Sequence, residues 1–207
     1  MEGKYGYAKV VLFLFILLAG CTDKEHSGLS VSIKEVSVPD SVQFVHGDVI
    51  CRLGNGYFSN YFKRCSTTEK IYSHTGIVEV TADSVFVIHA EASEFTGVGH
   101  VKREPLDHFL HNIHTWGLYR ITEDQDTCRM IVDKALYYYL SKTPFDLDFN
   151  NDDDSEVYCT ELVAHAVNKV YNYPVIIPRF MFAGKTMYGV DDVYLHSGFR
   201  EVYTDNR

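Results

Sequence analysis

The sequence predicts one α+β domain in which an antiparallel sheet packs against helices. Short segments rich in β-branched and aromatic residues occupy most of the stretch from residue 47 to residue 121, and two longer segments with apolar residues at helical spacing follow them. Strands followed by helices are typical of the α+β class. A content of 46% hydrophobic and 23% charged residues in 207 residues is that of a single globular domain with its own core.

Five segments have the residue content of strands and are bounded by turn residues: 47–53, 71–80, 84–92, 97–103 and 115–121. The second and third are separated only by the turn-forming sequence Thr81-Ala82-Asp83, so they predict a hairpin. A helical turn that begins at Pro105 is expected between the last two. His74 and His89 lie in the second and third segments, and we therefore expect them on neighbouring strands.

Two helices are predicted from apolar residues that recur at helical spacing. In the first, from Glu123 to about Ser141, these residues are Cys128, Ile131, Val132, Ala135, Leu136 and Tyr139. In the second they are Cys159, Leu162, Val163, Ala166, Val167 and Val170. Both stripes are expected to face the core, with Cys159 at the N-terminal end of the second helix.

The N-terminus indicates export from the cytoplasm. Lys4 and Lys9 precede an apolar run that is short for a membrane span and ends in small residues, so residues 1–20 are interpreted as a signal peptide. The junction "LLAGC", which ends at Cys21, resembles a bacterial lipobox, in which the cysteine carries the lipid. An ordinary secretory signal or an uncleaved anchor is the alternative.

This interpretation divides the chain into three parts. The signal peptide is followed by a lipidated cysteine and tether over residues 21–45, and by the folded domain over residues 46–207. We expect a bacterial lipoprotein outside the cytoplasm, in the periplasm or at the cell surface, that is held to the membrane through Cys21.

Several classes of partner are disfavoured. A net charge of −9 and the absence of a basic stripe argue against nucleic acid. No CxxC motif occurs, and the histidines within 108–114 have no further ligands to complete a zinc site. Residues 146–150 imitate the start of a calcium loop but lack its glycine. The sequence predicts no metal and no cofactor.

The cysteines that follow the lipobox stand in an export pathway, where disulfides can form. They are Cys51, Cys65, Cys128 and Cys159. Cys51 and Cys65 are close enough in sequence to pair, but their spacing does not require it, so the pairing stays open.

Cys159 has two interpretations. A buried free cysteine behaves as a small hydrophobic residue, and the apolar stripe fits that role. The first turn of a helix also presents unpaired backbone N–H groups, which favour a thiolate and lower the pKa of a thiol. The position therefore also suits a nucleophile.

A cysteine nucleophile needs a base, and two histidines are candidates. His74 and His89 lie inside β-rich segments, where each needs a polar partner. In a hairpin one ring can accept the N–H of the other and fix its tautomer. The alternative is a pair of structural histidines that satisfy each other within the sheet.

Four motifs occur in an informative order: "GDVICRLGNGYFS", "YSHTGIV", "VIHA" and "VYCTELV". From residue 46 to about residue 172 the chain resembles the YiiX/YaeF-like, circularly permuted branch of the NlpC-type papain-like cysteine hydrolases. Ordinary NlpC peptidases place the cysteine before the histidine, whereas His74 precedes Cys159 here. That order marks the permutation and also occurs in lecithin-retinol-acyltransferase-like enzymes. The resemblance implies a circularly permuted papain-like fold.

The resemblance also implies roles for individual residues. Cys159 corresponds to the nucleophile, His74 to the general base and His89 to the residue that orients the base. Relatives often have glutamate at the third position, and a neutral imidazole stabilises the imidazolium of the base less than a carboxylate does. Glu91, two residues along the same strand face, is the reserve third residue, and Tyr158 is expected to line the substrate cleft.

The expected function is that of an extracytoplasmic cysteine hydrolase, a peptidase or amidase, that cleaves an amide bond. The acidic segment 146–156 precedes the nucleophile and favours a cationic group over an anionic head group, so we expect a small or cell-wall-derived peptide as the substrate. The alternatives are a lipid amide or ester hydrolase, an acyltransferase of the same fold, and a peptide- or lipid-binding lipoprotein without catalysis.

Overall fold

A computed structural model describes residues 36–182 and 184–205. The predicted signal peptide, the lipidation site Cys21 and the first part of the tether lie outside the described residues. Within those two ranges, no helix combines the length and the apolar character that crossing a membrane requires.

The helices are short except for two, and the strands form one main sheet and one small hairpin. The helices of the described residues are α1 (Ser59–Arg64), α2 (Leu106–Phe109), α3 (Gln125–Leu140), α4 (Cys159–Tyr171) and α5 (Val190–Tyr194). The strands are β1 (Val49–Gly54), β2 (His74–Val80), β3 (Val85–Ala92), β4 (Gly99–Pro105), β5 (Ile113–Ile121), β6 (Phe180–Phe182), β7 (Lys185–Met187) and β8 (Phe199–Thr204).

The main sheet is antiparallel, with the strand order β4-β3-β2-β1-β5-β8. The predicted hairpin is β2–β3, in which Ile77 pairs with Ile88. Its turn closes with a 2.9 Å hydrogen bond from the backbone N–H of Thr81 to the oxygen of Ser84. The five segments predicted as strands are the first five strands, and the sheet with its helices confirms the α+β class.

The two long helices pack on one face of this sheet. Their apolar stripes meet strand residues such as Ile77 and Ile88 in the main core, as the helical spacing predicts. Full burial of a side chain of this size stabilises a fold by about 1.5–3 kcal/mol. α4 is the more enclosed helix, because most of its residues from Thr160 to Val167 are buried.

The opposite face of the sheet carries a second apolar cluster around Ile50, Phe109 and Trp116. Residues that precede β1 cover part of it, including Val36, Val38, Val42 and Phe44. The ring of Phe44 stacks on Trp116 with ring centroids 6.2 Å apart. Residues 36–45 therefore include side chains that pack on the sheet in addition to serving as a connection.

The C-terminal segment contains the elements that the sequence patterns do not predict. β6, β7 and α5 have three to five residues each, which is too short for a periodic signal. β8 pairs with β5 at the edge of the sheet and is mostly half-exposed. The buried Asp191 of α5 accepts hydrogen bonds from the backbone N–H groups of Thr67 and Thr68, which ties this segment to the connection between α1 and β2.

The four cysteines of the described residues are free thiols. Cys51 is fully buried on the inner face of the sheet, whereas Cys65 follows α1 and lines the same cavity as Cys159. The pairing of Cys51 with Cys65, which the sequence left open, is not present.

Candidate active site

The residues around Cys159 fix the start of α4. The Glu161 side chain accepts a hydrogen bond from the backbone N–H of Tyr158 at 3.2 Å, which caps the helix. The Thr160 hydroxyl donates to the backbone oxygen of Tyr188 at 2.7 Å. In return, the backbone N–H of Tyr188 donates to the Tyr158 hydroxyl at 2.8 Å. Contacts on both sides of Cys159 therefore hold this turn in place.

Cys159 and His74 line the same cavity, which has a volume of about 140 Å³. His74 is the first residue of β2, a strand on which α4 packs. Glu91 and Tyr158 also line this cavity. His89 is fully buried and is linked to the cavity through His74. The structure thus brings the candidate residues of the domain together at one site.

A hydrogen-bonded chain runs from the cavity into the sheet. The Nε2 atom of His74 lies 2.8 Å from Nδ1 of His89, and the two rings are almost perpendicular, at 89°. The Nε2 atom of His89 lies 3.2 Å from Oε2 of Glu104 on β4. Both nitrogens of His89 are therefore engaged, one by the candidate base and one by a carboxylate.

A glycine makes room for this chain. Gly76 on β2 directly precedes Ile77, which pairs with Ile88 on β3 in the antiparallel register. A Cβ atom at Gly76 would lie 2.6 Å from Cγ1 of Val87 and 3.0 Å from Cβ of His89. The glycine of the segment "SHTG" is needed because these side chains occupy the space beside its backbone.

Glu91, the reserve third residue, has other partners. Its carboxylate accepts hydrogen bonds from Nη2 of Arg52 at 2.7 Å and from Nζ of Lys102 at 2.9 Å. Burial opposes its ionisation, but nearby positive charge, including that of Arg52, outweighs burial and lowers the pKa of Glu91 to about 2. Glu91 is thus an ionised partner of two cations beside the histidines.

The electrostatics of the thiol differ from the expectation based on the helix start. Burial raises the pKa of Cys159 to about 11, although the backbone N–H groups of Thr75, Thr160 and Cys159 itself lower it. Burial, and then the charge of Arg52, hold the pKa of His74 well below its usual value. The expected lowering of the thiol pKa is wrong for the free site, because desolvation of the thiolate outweighs the helix start. At neutral pH the resting pair is a thiol and a neutral imidazole.

The acidic segment presents its apolar side chains to the cavity. Phe145, Leu147 and Phe149 line the cavity wall. Asp146 instead turns back on its own loop and accepts the backbone N–H groups of Asp148 and Asn150 at 2.7 and 2.6 Å. Among the described residues, none of the aspartates between 146 and 154 lines the cavity. The segment therefore supplies the site with an apolar surface.

Glu104 and Arg52 are site residues that the sequence patterns do not identify. The pairing of β3 with β4 places Glu104 opposite Val87, two residues from His89 on the same strand face. The register of the second hairpin was the signal that could have revealed Glu104. That register depends on the connection 93–98, and strand content alone does not fix how many of its residues pair.

Comparison with known proteins gives a family match and a structural match. The family model for the permuted papain-like amidase enzymes YaeF/YiiX, the C92 family, matches residues 43–201. Among solved structures, the metalloprotein YiiX from Escherichia coli O157:H7 superposes with a TM-score of 0.63 and 18% sequence identity over 77% of this chain and 97% of that chain. A search among curated proteins gave no match. The chain thus has the permuted papain-like fold, is a cysteine peptidase or amidase by family, and belongs to the permuted papain-like amidases of the YaeF/YiiX type.

Proposed function

We propose that the protein hydrolyses an amide bond with Cys159 as the nucleophile and His74 as the general base. The observation that carries this proposal is that the thiol at the start of α4 and the imidazole at the start of β2 line one cavity. His89 supports the base with a 2.8 Å hydrogen bond. Membership of an amidase family supports the choice of an amide as the scissile bond.

The proposed reaction has two halves. His74 takes the proton of the Cys159 thiol as the sulfur attacks the carbonyl carbon, and it then gives this proton to the leaving nitrogen. The resulting thioester is hydrolysed by water, with His74 again taking and returning one proton. The backbone N–H groups at the start of α4 favour negative charge at this point. General-base assistance of this kind contributes a factor of about 10² to 10⁴ in rate.

The residues of the cavity wall indicate which kind of substrate the site accepts. Besides the side chains from the acidic segment, Phe58 and Phe62 line it, so the group next to the scissile bond meets an apolar surface. We propose a small peptide-like amide with an apolar group at this position. The acidic segment gives no support for a cationic group at this position, because none of its aspartates lines the cavity in the part of the chain that the structure describes.

A lipid amide or ester, cleaved or transferred as an acyl group, is the second candidate substrate. The observation that favours it is an apolar rim, which consists of Tyr57, Phe95 and Val98. Their exposures are 74%, 99% and 75%. The rim lies on connections that line the cavity through Phe58, Glu94 and Gly97. Exposed apolar side chains next to a site indicate a surface for an apolar ligand.

The site does not fit a metal-dependent mechanism. The structurally similar YiiX is described as a metalloprotein, and in this chain ligand atoms of His74, His89 and Glu91 lie within 4.8 Å of one another. The facing nitrogens of the two histidines, however, already share a hydrogen bond. The cations Arg52 and Lys102 bind the carboxylate of Glu91 and oppose a further positive charge. No step of the proposed reaction uses a metal.

The decisive experiment compares two substrate pools. The purified protein is incubated with muropeptides and, separately, with a mixed lipid extract, and products are identified by mass spectrometry. We expect peptide cleavage that Cys159→Ala abolishes. Cysteine-dependent cleavage of lipids alone would establish the second candidate, and binding without turnover of either pool would indicate a binding protein.

We also propose that the protein is a lipoprotein, held outside the cytoplasm by a lipid on Cys21. The lipobox-like sequence before Cys21 supports this proposal. Cys21→Ser should move the protein from the membrane fraction to the soluble fraction. Cys65→Ser is the matched control for loss of a cysteine, and equal fractionation of the two variants would contradict the anchor.

A further inference from the structure

We propose that Glu104 completes the active site as a fourth member of a Cys159–His74–His89–Glu104 chain. In this chain Glu104 is a positioning residue, which acts through His89 and sets the protonation of both rings. The inference rests on the proposed function, since it concerns how His74 is held ready to accept the thiol proton.

The geometry of the chain runs inward from the cavity. His89 is fully buried, and its two ring nitrogens face His74 at 2.8 Å and Glu104 at 3.2 Å. Glu104 is 28% exposed, and its second carboxylate oxygen lies 3.7 Å from Nζ of Lys102. The chain therefore ends at a carboxylate in contact with solvent and a cation, while its middle member has no access to water.

The carboxylate determines where the protons lie. An ionised carboxylate only accepts hydrogen bonds, so the bond to Glu104 requires a proton on Nε2 of His89. A neutral His89 then has a lone pair on Nδ1, and the bond between the rings requires a proton on Nε2 of His74. This leaves the lone pair of a neutral His74 on Nδ1, which is free to accept the thiol proton. One carboxylate thus selects the productive tautomer of two imidazoles.

The same chain stabilises the charge that forms during the reaction. When the S–H bond of Cys159 breaks and the proton binds Nδ1 of His74, the positive ring keeps its Nε2–H bond to His89. His89 in turn keeps its Nε2–H bond to Glu104, so no proton leaves either group. The carboxylate polarises His89 and favours the imidazolium through it. Glu104 therefore also favours the thiolate form of Cys159.

Glu91 cannot replace Glu104 in this role. Its carboxylate accepts hydrogen bonds from Arg52 and Lys102. The histidine nitrogens that face each other and Glu104 leave only Nδ1 of His74 without a partner in the chain. Glu91 balances the charge of the two cations, and Glu104 holds the ring.

The test uses iodoacetamide as the probe, because alkylation of Cys159 reports on its ionisation without a known substrate. Rates are measured by mass spectrometry between pH 6.5 and 10 for the wild type, Glu104→Gln and Glu104→Asp. Glu79→Gln is the matched control, because Glu79 is a half-buried carboxylate of the same sheet. It pairs with Arg103 and takes no part in the hydrogen-bonded chain from Cys159 to Glu104. Melting temperatures are recorded for all variants.

We expect Glu104→Gln to slow alkylation of Cys159 at pH 7.5 by at least about tenfold and to shift the rise of the rate with pH to higher pH. The glutamine can donate to Nε2 of His89 and reverse both tautomers. Glu104→Asp should restore part of the alkylation rate. The alkylation rate of Glu79→Gln should stay within about twofold of wild type, even if Glu79→Gln and Glu104→Gln lose the same amount of stability.

The outcomes separate the inference from the proposed function. If Cys159 of the wild type is no more reactive than Cys51, or His74→Ala has no effect on its rate, the proposed function fails. If His74→Ala slows the reaction but Glu104→Gln matches the control, the proposed function survives and the role of Glu104 is refuted. A loss in Glu104→Gln that Glu104→Asp does not relieve at all would also refute it.

Discussion

Cys159 combines two properties that pull its ionisation in opposite directions. Its place at the start of α4 gives it backbone N–H groups as neighbours, and its burial removes the water that a thiolate needs. The second effect is larger in the free site, so the thiol is neutral at pH 7. A substrate carbonyl beside the sulfur then makes proton transfer to His74 part of the attack itself.

The first prediction concerns the pH dependence of this thiol. Because the pKa of Cys159 is raised to about 11, its alkylation by iodoacetamide should rise by at least about tenfold between pH 7 and 9.5. Cys51 is the internal comparison, since it is fully buried with a pKa raised to about 12 and should react more slowly throughout. A rate for Cys159 that is already maximal at pH 7 would contradict the neutral thiol.

The second prediction concerns the buried His89. Burial lowers its pKa, although the hydrogen bond to Glu104 acts the other way. The unfolded chain takes up a proton on this residue below about pH 6.5 and the folded chain does not, so the free energy of unfolding should fall as pH decreases from 7 to 5. Urea unfolding of His89→Asn should show a weaker decrease over this range.

The matched control for this loss of a histidine is His111→Asn, because His111 is exposed outside the sheet core. Its unfolding free energy should follow the wild-type decrease. Equal pH dependence in His89→Asn and the wild type would show that His89 is not the group responsible.

At the scale of elements, the sequence predicts the strands and helices in which apolar residues recur at a regular spacing. The first five strands and the two long helices follow from residue content and apolar spacing, because each buries one face on a common core. β6 and β7 have three residues each, and the half-exposed β8 has no apolar alternation to identify it. They are determined by contacts with distant segments, such as the pairing of β8 with β5.

The same distinction applies to the site. Cys159 was identified from its place at the start of a predicted helix and His74 from its place inside a β-rich segment, which are local features. Glu104 was missed because its partner His89 lies 15 positions away on the other strand of a hairpin. The sequence of neither strand determines the register of that hairpin. The apolar cavity wall was missed because the acidic segment reads as a charged loop until Asp146 is seen to accept its own backbone N–H groups.

The third prediction concerns the β2–β3 hairpin. Gly76→Ala introduces a Cβ atom 2.6 Å from Cγ1 of Val87, 2.9 Å from the oxygen of Ile88 and 3.0 Å from Cβ of His89. Overpacking against backbone and buried side chains should lower the free energy of unfolding by about 1–3 kcal/mol. It should also slow alkylation of Cys159 at pH 7.5, because His89 is displaced from His74.

Gly198→Ala is the control for the third prediction, since its new Cβ atom meets only the side chain of His196. Urea unfolding and alkylation are measured on both variants. A stable Gly76→Ala protein with wild-type alkylation would show that the strands adjust without moving the histidines.

At the scale of the whole molecule, the cavity and the proposed anchor raise the same question of substrate. Tyr57 and Phe95 form part of the rim on two separate connections, which Glu94 ties together by accepting the backbone N–H groups of Tyr57 and Phe58 at 3.1 and 3.2 Å. The rim is therefore held next to the cavity in spite of its exposure. A protein tethered to a membrane could use such a rim to reach a lipid, whereas a soluble peptide has no need of it.

The fourth prediction separates these substrates through the rim. The double variant Phe95→Ser/Val98→Ser should leave alkylation of Cys159 and turnover of a soluble peptide amide within about twofold of wild type, because neither side chain lines the cavity. Turnover of a lipid amide in vesicles, where it occurs, should fall by about tenfold, since loss of one aromatic contact with lipid costs about 1.5 kcal/mol.

Met130→Ser removes an exposed apolar side chain from α3, away from the cavity, and serves as the control. If the double variant loses peptide turnover as strongly as lipid turnover, the rim belongs to the binding site of both substrates. The preference for a small soluble amide would then have no structural basis.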